Sequence, residues 1–308
     1  MPLISVVIPL YNKAPYIVKT IQSVLHQTFD DFEVVIVDDG STDYSAEVVR
    51  QHFNSEKIRL IEKENGGPSS ARNRGVQEAK GSWIVLLDAD DFLLPDALAY
   101  FASLLENGRD YYICNYYIKE GNEIKLFSKV RKYGEVKDPF YLEAVRDLTE
   151  RAGSAIIKKE LLLDHPFNEQ LRRYEDAEWQ YQAMRQCRVF VSPVPVMISN
   201  RDATAAACAR EDVNEDFIGH LDFKGKRYWE QMSLYLLALE CKYAYPQSAT
   251  QLYGKIYSRA DLRLGYFFIR IRNIFVHRMR DLLYREKAHT FEELMSNVND
   301  DENRMSNH

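Results

Sequence analysis

The chain has 308 residues, 46% hydrophobic and 28% charged, an ordinary globular composition able to bury a substantial core. Its formal net charge of -6 argues against a nucleic-acid binder, whose phosphate contacts call for a basic surface, so an anionic ligand must be met locally by a metal or a few placed cations. Cys114, Cys187, Cys208 and Cys241 stand far apart with no C-x-x-C pair, which points away from a zinc site or disulfide framework and toward a reducing cytoplasm.

The first residues, Met1 to Pro9, lack a basic n-region and reach proline too early for a signal peptide, and no later run has the length of a membrane span. A soluble or peripherally bound protein is expected. Ile4 to Ile8 is a β-branched, apolar run that reads as a buried parallel strand ended by Pro9. Apolar residues at helical spacing predict a helix over 14–26, and Phe32 to Val37 a second buried strand. Further helices are expected over 45–53 and 69–79, with strands over 58–62 and 83–87; this alternation means a parallel α/β sheet. After Pro95 and a helix to Leu105, Tyr111 to Lys119 and Glu123 to Phe127 flank Gly121-Asn122 as a hairpin, so the sheet becomes mixed. Helices are predicted over 142–151, 158–163 and 177–187, an extended segment over 189–198, and a helical remainder over 228–243 and 249–285, with a frayed end from Ser296.

Ligands of open parallel sheets collect beyond the carboxyl ends of the strands. Here those ends carry Pro9-Leu10-Tyr11-Asn12, Asp38-Asp39-Gly40-Ser41-Thr42-Asp43 and Asp88-Ala89-Asp90-Asp91. Each acidic cluster alone serves as a turn and helix cap. Together they repel unless a cation or a ligand N–H sits among them, and Mg²⁺ or Mn²⁺ held by one or two carboxylates with substrate phosphates is a fitting occupant. Between them Asn65-Gly66-Gly67-Pro68-Ser69-Ser70-Ala71-Arg72-Asn73-Arg74-Gly75 opens a helix, where backbone N–H groups and an arginine can face a diphosphate; it is neither a P-loop nor a G-x-G-x-x-G fingerprint.

Ile4 to Asn12, Val37 to Asp43, Ala71 to Gly75 and Leu87 to Asp91 occur in the order and spacing of family 2 glycosyltransferases with the GT-A fold, which this chain resembles over roughly its first hundred residues. The resemblance implies a nucleotide-sugar donor, usually UDP-linked. It places Pro9 and Tyr11 beside the base, Asp39 on the uracil N–H, Arg72 near the base or phosphates, Asp88 on the ribose or hydrated metal, and Asp90 on the metal. Asn12, Asp38, Asn73 and Asp91 lie in the same motifs and, with Gly67 of the glycine-rich stretch, join the candidates, Asp91 with the alternative of capping the turn before Pro95.

Arg173-Tyr174-Glu175-Asp176-Ala177-Glu178-Trp179 resembles the family's Glu-Asp motif, which implies that Asp176, with Glu175 beside it, is the general base for inversion; standing alone these acids complement a helix dipole. Gly153 to Leu162 with Phe167 resembles an acceptor-side segment. Arg201, in Asn200 to Ala207, stands where relatives place an arginine before a diphosphate loop, a plain loop being the alternative. The expected division is a nucleotide-sugar half over 1–110, an acceptor half of the same GT-A domain over 111–210, and a helical extension over 211–308. Between Arg263 and Arg285 basic residues interleave with Phe267, Phe268, Ile271 and Ile274, which suits peripheral contact with anionic lipid, packing on the domain, or a homodimer. The expectation is a metal-dependent transfer to a glycan or lipid-linked acceptor in bacterial surface-polysaccharide synthesis. Its rivals are a sugar-1-phosphate nucleotidyltransferase, which needs a basic glycine-rich loop after strand one, and a non-catalytic nucleotide-sugar-binding subunit.

Overall fold

The computed structural model describes residues 1–127, 130–204, 216–241, 259–283 and 290–295. β1 (Ile4–Leu10), β2 (Phe32–Asp38), β3 (Ile58–Glu62) and β4 (Trp83–Leu86) alternate with α1 (Ala14–Leu25), α2 (Ser45–His52) and α3 (Gly67–Glu78). The four strands are parallel, in the order β3-β2-β1-β4. Pro9 does not end β1 as expected: it pairs with Val37 of β2, and the strand runs on to Leu10. Pairing with β4 stops at Val7, so the N–H that Pro9 lacks interrupts no ladder on that side.

β5 (Phe92–Leu93) and α4 (Ala97–Leu104) precede the expected hairpin, β6 (Tyr111–Glu120) and β7 (Glu123–Leu126), with Gly121 at its turn. β8 (Gly134–Glu135) and α5 (Pro139–Ala144) follow. The helix predicted over 142–151 is cut short. Arg146 takes a positive φ of 58°, and the N–H groups of Asp147 and Leu148 both return to the Leu142 carbonyl, leaving turns where the periodicity suggested a continuing helix. The helix predicted from Lys158 is likewise preceded by an unforeseen strand, β9 (Ala155–Lys158), before α6 (Lys159–Asp164). Four residues are too few for a period to declare itself. β9 is nevertheless central, lying antiparallel between β4 and β6.

α7 (Glu175–Gln186) leads to β10 (Val189–Asn200), whose register on β6 slips between Ser192, Pro195 and Ile198 where its prolines cannot donate. The full order is β3-β2-β1-β4-β9-β6-β10-β5, with β7 on β6 and β8 on β10. Helices cover both faces. Ile4, Val6 and Ile8 of β1 meet Ile17 and Ile21 of α1 and Phe101 of α4, whereas Val7 meets Ala71 and Val76 of α3 in the core that also takes in Trp179 and Tyr235. A Cβ on Gly75 of α3 would stand 2.3 Å from Val7 Cγ1, so the close approach of that helix to β1 requires glycine.

α8 (Tyr228–Cys241), α9 (Ala260–Leu283) and α10 (Phe291–Leu294) complete the described residues. Ser233 of α8 donates to the Phe140 carbonyl at 2.8 Å, and Arg272 of α9 reaches Asp147 at 2.8 Å, which ties the extension to the sheet domain. Among the described residues no helix is long and apolar enough to cross a membrane. The predicted helical stretches at 242–243, 249–258 and 284–285, Cys208, the Ala205 to Ala207 loop and the end from Ser296 lie outside the described residues.

Candidate active site

β1 leads on through α1 to β2 at one side, while β4 lies at its other side, so a crevice opens beyond the carboxyl ends of β1 and β4. The first two loops there are stitched together. The backbone N–H of Asn12, itself at φ 51°, donates to Ser41 Oγ at 3.1 Å, and Thr42 N–H returns to Asn12 Oδ1 at 2.8 Å. Asp43 accepts from the N–H of Ala14 at 3.0 Å and of Ser45 at 3.1 Å; although burial opposes its charge, the bonds from Ser45 and Ala14 hold its carboxyl below the usual range. Pro9 and Tyr11 flank this junction, with the Tyr11 ring 48% exposed.

Asp38 and Asp39 are both buried. Asp38 accepts the Ser41 N–H at 3.2 Å through Oδ2 and keeps Oδ1 buried without a partner. The Asp39 carboxylate takes Lys63 Nζ at 2.6 Å and the N–H groups of Gly66 at 3.0 Å and Gly67 at 2.8 Å. The glycine-rich loop therefore aims these two N–H groups at Asp39, where the sequence reading aimed them at a diphosphate.

Arg72 is buried on α3 and committed to two carboxylates, donating through NH1 to Glu175 at 2.6 Å and through NH2 to Asp88 at 3.1 Å. Burial opposes its charge, but Asp88, Glu175 and Asp176 together more than offset that and raise its pKa. Asn73 turns the other way. Its Nδ2 donates to the Phe167 carbonyl and Glu169, and its Oδ1 accepts the Phe167 N–H, so it clamps the segment before α7.

The acids after β4 divide. Asp88 is 31% exposed and touches Arg72. Asp90 is buried against Lys13, whose Nζ stands 2.6 Å from Oδ2; burial holds this carboxyl above its ordinary range, Asp88 adds to that, and Lys13 pulls the other way. Asp91 accepts the Asn200 N–H at 2.7 Å, joining the loop to the end of β10, and leaves Oδ2 buried without a partner. Burial, then Asp88 and Asp90, push its carboxyl well above the usual range, while Arg151 opposes them.

An ammonium already stands where a cation is needed beside Asp90, and Asp88 keeps an exposed carboxylate face nearby; this pair suits a hard divalent ion whose remaining ligands are water and phosphate. Among the described residues no group of three or more His, Cys, Asp or Glu forms a self-sufficient metal cage.

Tyr174, at φ 55°, starts α7 and sets Glu175 inward and Asp176 outward. Asp176 is exposed, and its Oδ1 accepts the neighbouring Ala177 N–H at 2.8 Å. It lines an open pocket with Arg72, Glu150, Arg151 and an apolar floor that includes Leu86, Phe167 and Trp179.

Residues 5–159 match the family model described as Glycosyl transferase family 2. The chain belongs to glycosyltransferase family 2. Chondroitin synthase of Escherichia coli is 46% identical over 99 residues, 32% of this chain and 14% of that protein. The uncharacterized glycosyltransferase EpsJ of Bacillus subtilis is 38% identical over 155 residues, 49% of this chain and 41% of its own length. The chain thus matches less than half the length of either relative. In fold it resembles S. aureus TarS 1-349 in complex with UDP-GlcNAc (TM-score 0.60, 22% identity, 93% of both chains). It also resembles the mannosyltransferase PcManGT of Pyrobaculum calidifontis in complex with GDP-Man and Mn²⁺ (TM-score 0.57, 20% identity, 92% of this chain and 88% of that one). At these identities the likeness establishes the GT-A fold, a mostly parallel sheet flanked by helices.

Three polar residues of this family 2 site escaped the sequence reading. Lys13 directly follows the Pro9 to Asn12 motif, a position where charge was the available signal. Glu150 and Arg151 lay inside a supposed helix, which hid that their loop faces the Glu-Asp motif. Arg201 sits apart from the pocket's lining: its NH1 donates to Glu120 at 2.8 Å and its guanidinium lies 5.2 Å from the Phe127 ring. α9 buries Leu262 and Ile269 and turns Leu264, Phe267, Phe268 and Ile274 to the outside.

Proposed function

We propose that this family 2 enzyme is an inverting, metal-dependent glycosyltransferase. It moves one sugar from a nucleotide diphosphate donor, UDP-linked by the resemblance of its Asp38-Asp39 motif, to a hydroxyl of a glycan or lipid-linked acceptor in bacterial surface-polysaccharide synthesis. The observation that carries the reading is Arg72. One guanidinium binds Asp88 of the nucleotide-side loop and Glu175 of the Glu-Asp motif, and the exposed Asp176 shares a pocket with it. A displacement at an anomeric carbon needs this pairing of a leaving-group site with a free base. The nucleotide sugars named in the neighbouring structures, UDP-GlcNAc and GDP-Man, support a donor of this class.

The residues divide the chemistry. Pro9, Tyr11 and Asp39 hold the nucleotide base, Asn12, Asp38 and Gly67 brace the loops around it, and Asp88 holds the ribose side. Asp90, with Asp88, holds Mn²⁺ or Mg²⁺, which when bound supplies Lewis-acid stabilisation of the departing diphosphate. Asp176 accepts the proton of the acceptor hydroxyl as that oxygen bonds to the anomeric carbon; the bond to the β-phosphate oxygen breaks and its electron pair leaves with the nucleotide. Glu175 and Arg72 fix the start of α7 so that Asp176 meets the acceptor, and Asn73 braces the same helix through Phe167. The 1–110 and 111–210 segments contribute the donor and acceptor sides respectively. The outward apolar face of α9, flanked by the exposed Arg263 and Arg270, suits peripheral contact with anionic lipid, as a lipid-linked acceptor would require.

The test is nucleotide release from a panel of nucleotide sugars with Mn²⁺, Mg²⁺ or EDTA, for wild type, Asp90→Ala and Asp176→Asn. Metal-dependent release, lost in both variants while they still fold, is expected. Donor binding without release under any acceptor mixture would leave a binding subunit instead.

A further inference from the structure

We propose that Arg151 recognises the carboxylate of a hexuronate sugar in the pocket beside Asp176, an inference that rests on the sugar-transfer reading above. Its place in the loop before β9 is fixed by its neighbours. The Arg151 N–H donates to Ser154 Oγ at 3.0 Å, and the Arg151 carbonyl accepts both the N–H and the hydroxyl of Ser154 at 2.8 Å. Gly153 has φ +92°, a backbone conformation that side-chain-bearing residues rarely adopt, so the turn is built for glycine.

The guanidinium so positioned is not satisfied. Among the described residues no hydrogen bond or ion pair reaches it, and Nε is buried without a partner. Asp91, Asp88 and Asp176 lie near enough to favour its charge against the cost of burial, yet none is bonded to it. Arg72, the other arginine lining this pocket, has both terminal nitrogens engaged. An unbonded guanidinium in a pocket is a costly arrangement that a ligand can relieve. A planar carboxylate fits its fork through paired N–H···O bonds, which a single neutral hydroxyl does not offer.

The pocket also says which part of the substrate arrives there. If Asp176 takes the acceptor proton and the nucleotide is anchored at Asp88 and Asp90, the two reacting sugars meet beside Asp176. Arg151 shares that pocket with Asp176. A carboxylate entering beside Asp176 would be repelled without a facing cation, so Arg151 decides whether an acidic sugar is admitted. The uronate is either the transferred sugar or the acceptor's terminal sugar, and the experiment separates the two.

Isothermal titration with Mn²⁺ present compares UDP-glucuronate with UDP-glucose and, with UDP bound, methyl β-glucuronide with methyl β-glucoside, on wild type, Arg151→Gln and Arg151→Lys. One acidic ligand should bind wild type about tenfold more tightly than its neutral counterpart, and Arg151→Gln should abolish that preference while Arg151→Lys keeps part of it. Preference within the nucleotide-sugar pair assigns the carboxylate to the donor; preference within the glycoside pair assigns it to the acceptor. Equal binding of acidic and neutral ligands by wild type, which requires no variant to fold, would overturn the proposal. So would an Arg151→Gln variant that loses affinity for UDP but not UMP, since the arginine would then read the β-phosphate. Failure of wild type to bind UDP at all would overturn the donor-site reading as well, which distinguishes the two failures.

Discussion

Arg72 and Glu175, separated by 103 positions in the chain, are joined by an ion pair of 2.6 Å that fastens α3 to the start of α7. Both are buried, and the same guanidinium also holds Asp88. Arg72→Met should lower unfolding free energy by about 3 kcal/mol, because Glu175 is left buried without its counter-charge. Arg72→Lys should fall between, since one ammonium cannot span both acids as a fork does. Urea denaturation of the three proteins checks this, and a Met variant as stable as wild type would refute it.

Lys13 competes for the carboxylate that is proposed to hold the metal. Lys13→Met should therefore raise Mn²⁺ affinity in the absence of nucleotide by on the order of fivefold, as the bound ion no longer displaces an ammonium. Asp90→Asn should abolish it. Titration of the free Mn²⁺ electron paramagnetic resonance signal reads both, and weaker binding by Lys13→Met would show that the lysine assists the ion.

Glu150 gives the pocket a pH signature. Burial pushes its carboxyl up to about 8, the hydrogen bonds from Tyr111 and Gln180 opposing that and the charges of Asp176 and Glu143 adding to it. In the unfolded chain the same group titrates near the ordinary glutamate value, so between roughly pH 4.5 and 8 the folded state binds more protons and stability falls as pH rises. Glu150→Gln, which cannot ionise, should lack this slope and exceed wild type in relative stability at pH 9 by on the order of 3 kcal/mol. Denaturation midpoints at pH 5, 7 and 9 provide the comparison; parallel pH profiles would count against a buried proton at Glu150.

Gly75→Ala should cost about 2 kcal/mol, because the added methyl meets the buried Val7, which is paired on both sides within the sheet and cannot retreat. A melting temperature within a degree of wild type would mean that α3 slides to make room.

The parallel half was legible because each of its elements announces itself. β1 and β2 are almost wholly apolar runs, and the acids at the ends of β2 and β4, Asp38-Asp39 and Asp88 to Asp91, mark the crevice as well as the turns. The acceptor half was harder. Ala155-Ile156-Ile157-Lys158 has the composition of either element, and its strand state is imposed by the open edges of β4 and β6 on its two sides. The helix expected over 142–151 concealed Glu150 and Arg151. Local motifs made Asp90 and Asp176 candidates, but nothing local says that Lys13 reaches an acid 77 positions away or that Asp91 receives the Asn200 N–H.

The position of β9 also bears on how the chain is made. While residues 1–110 leave the ribosome, β1 to β4 can assemble, but β4 keeps a bare edge until residues 155–158 arrive from a later stretch of chain. The first four strands thus wait on β9 to be sealed. A nascent chain arrested before residue 155 should pair through that edge with another chain, and one released after β9 should not.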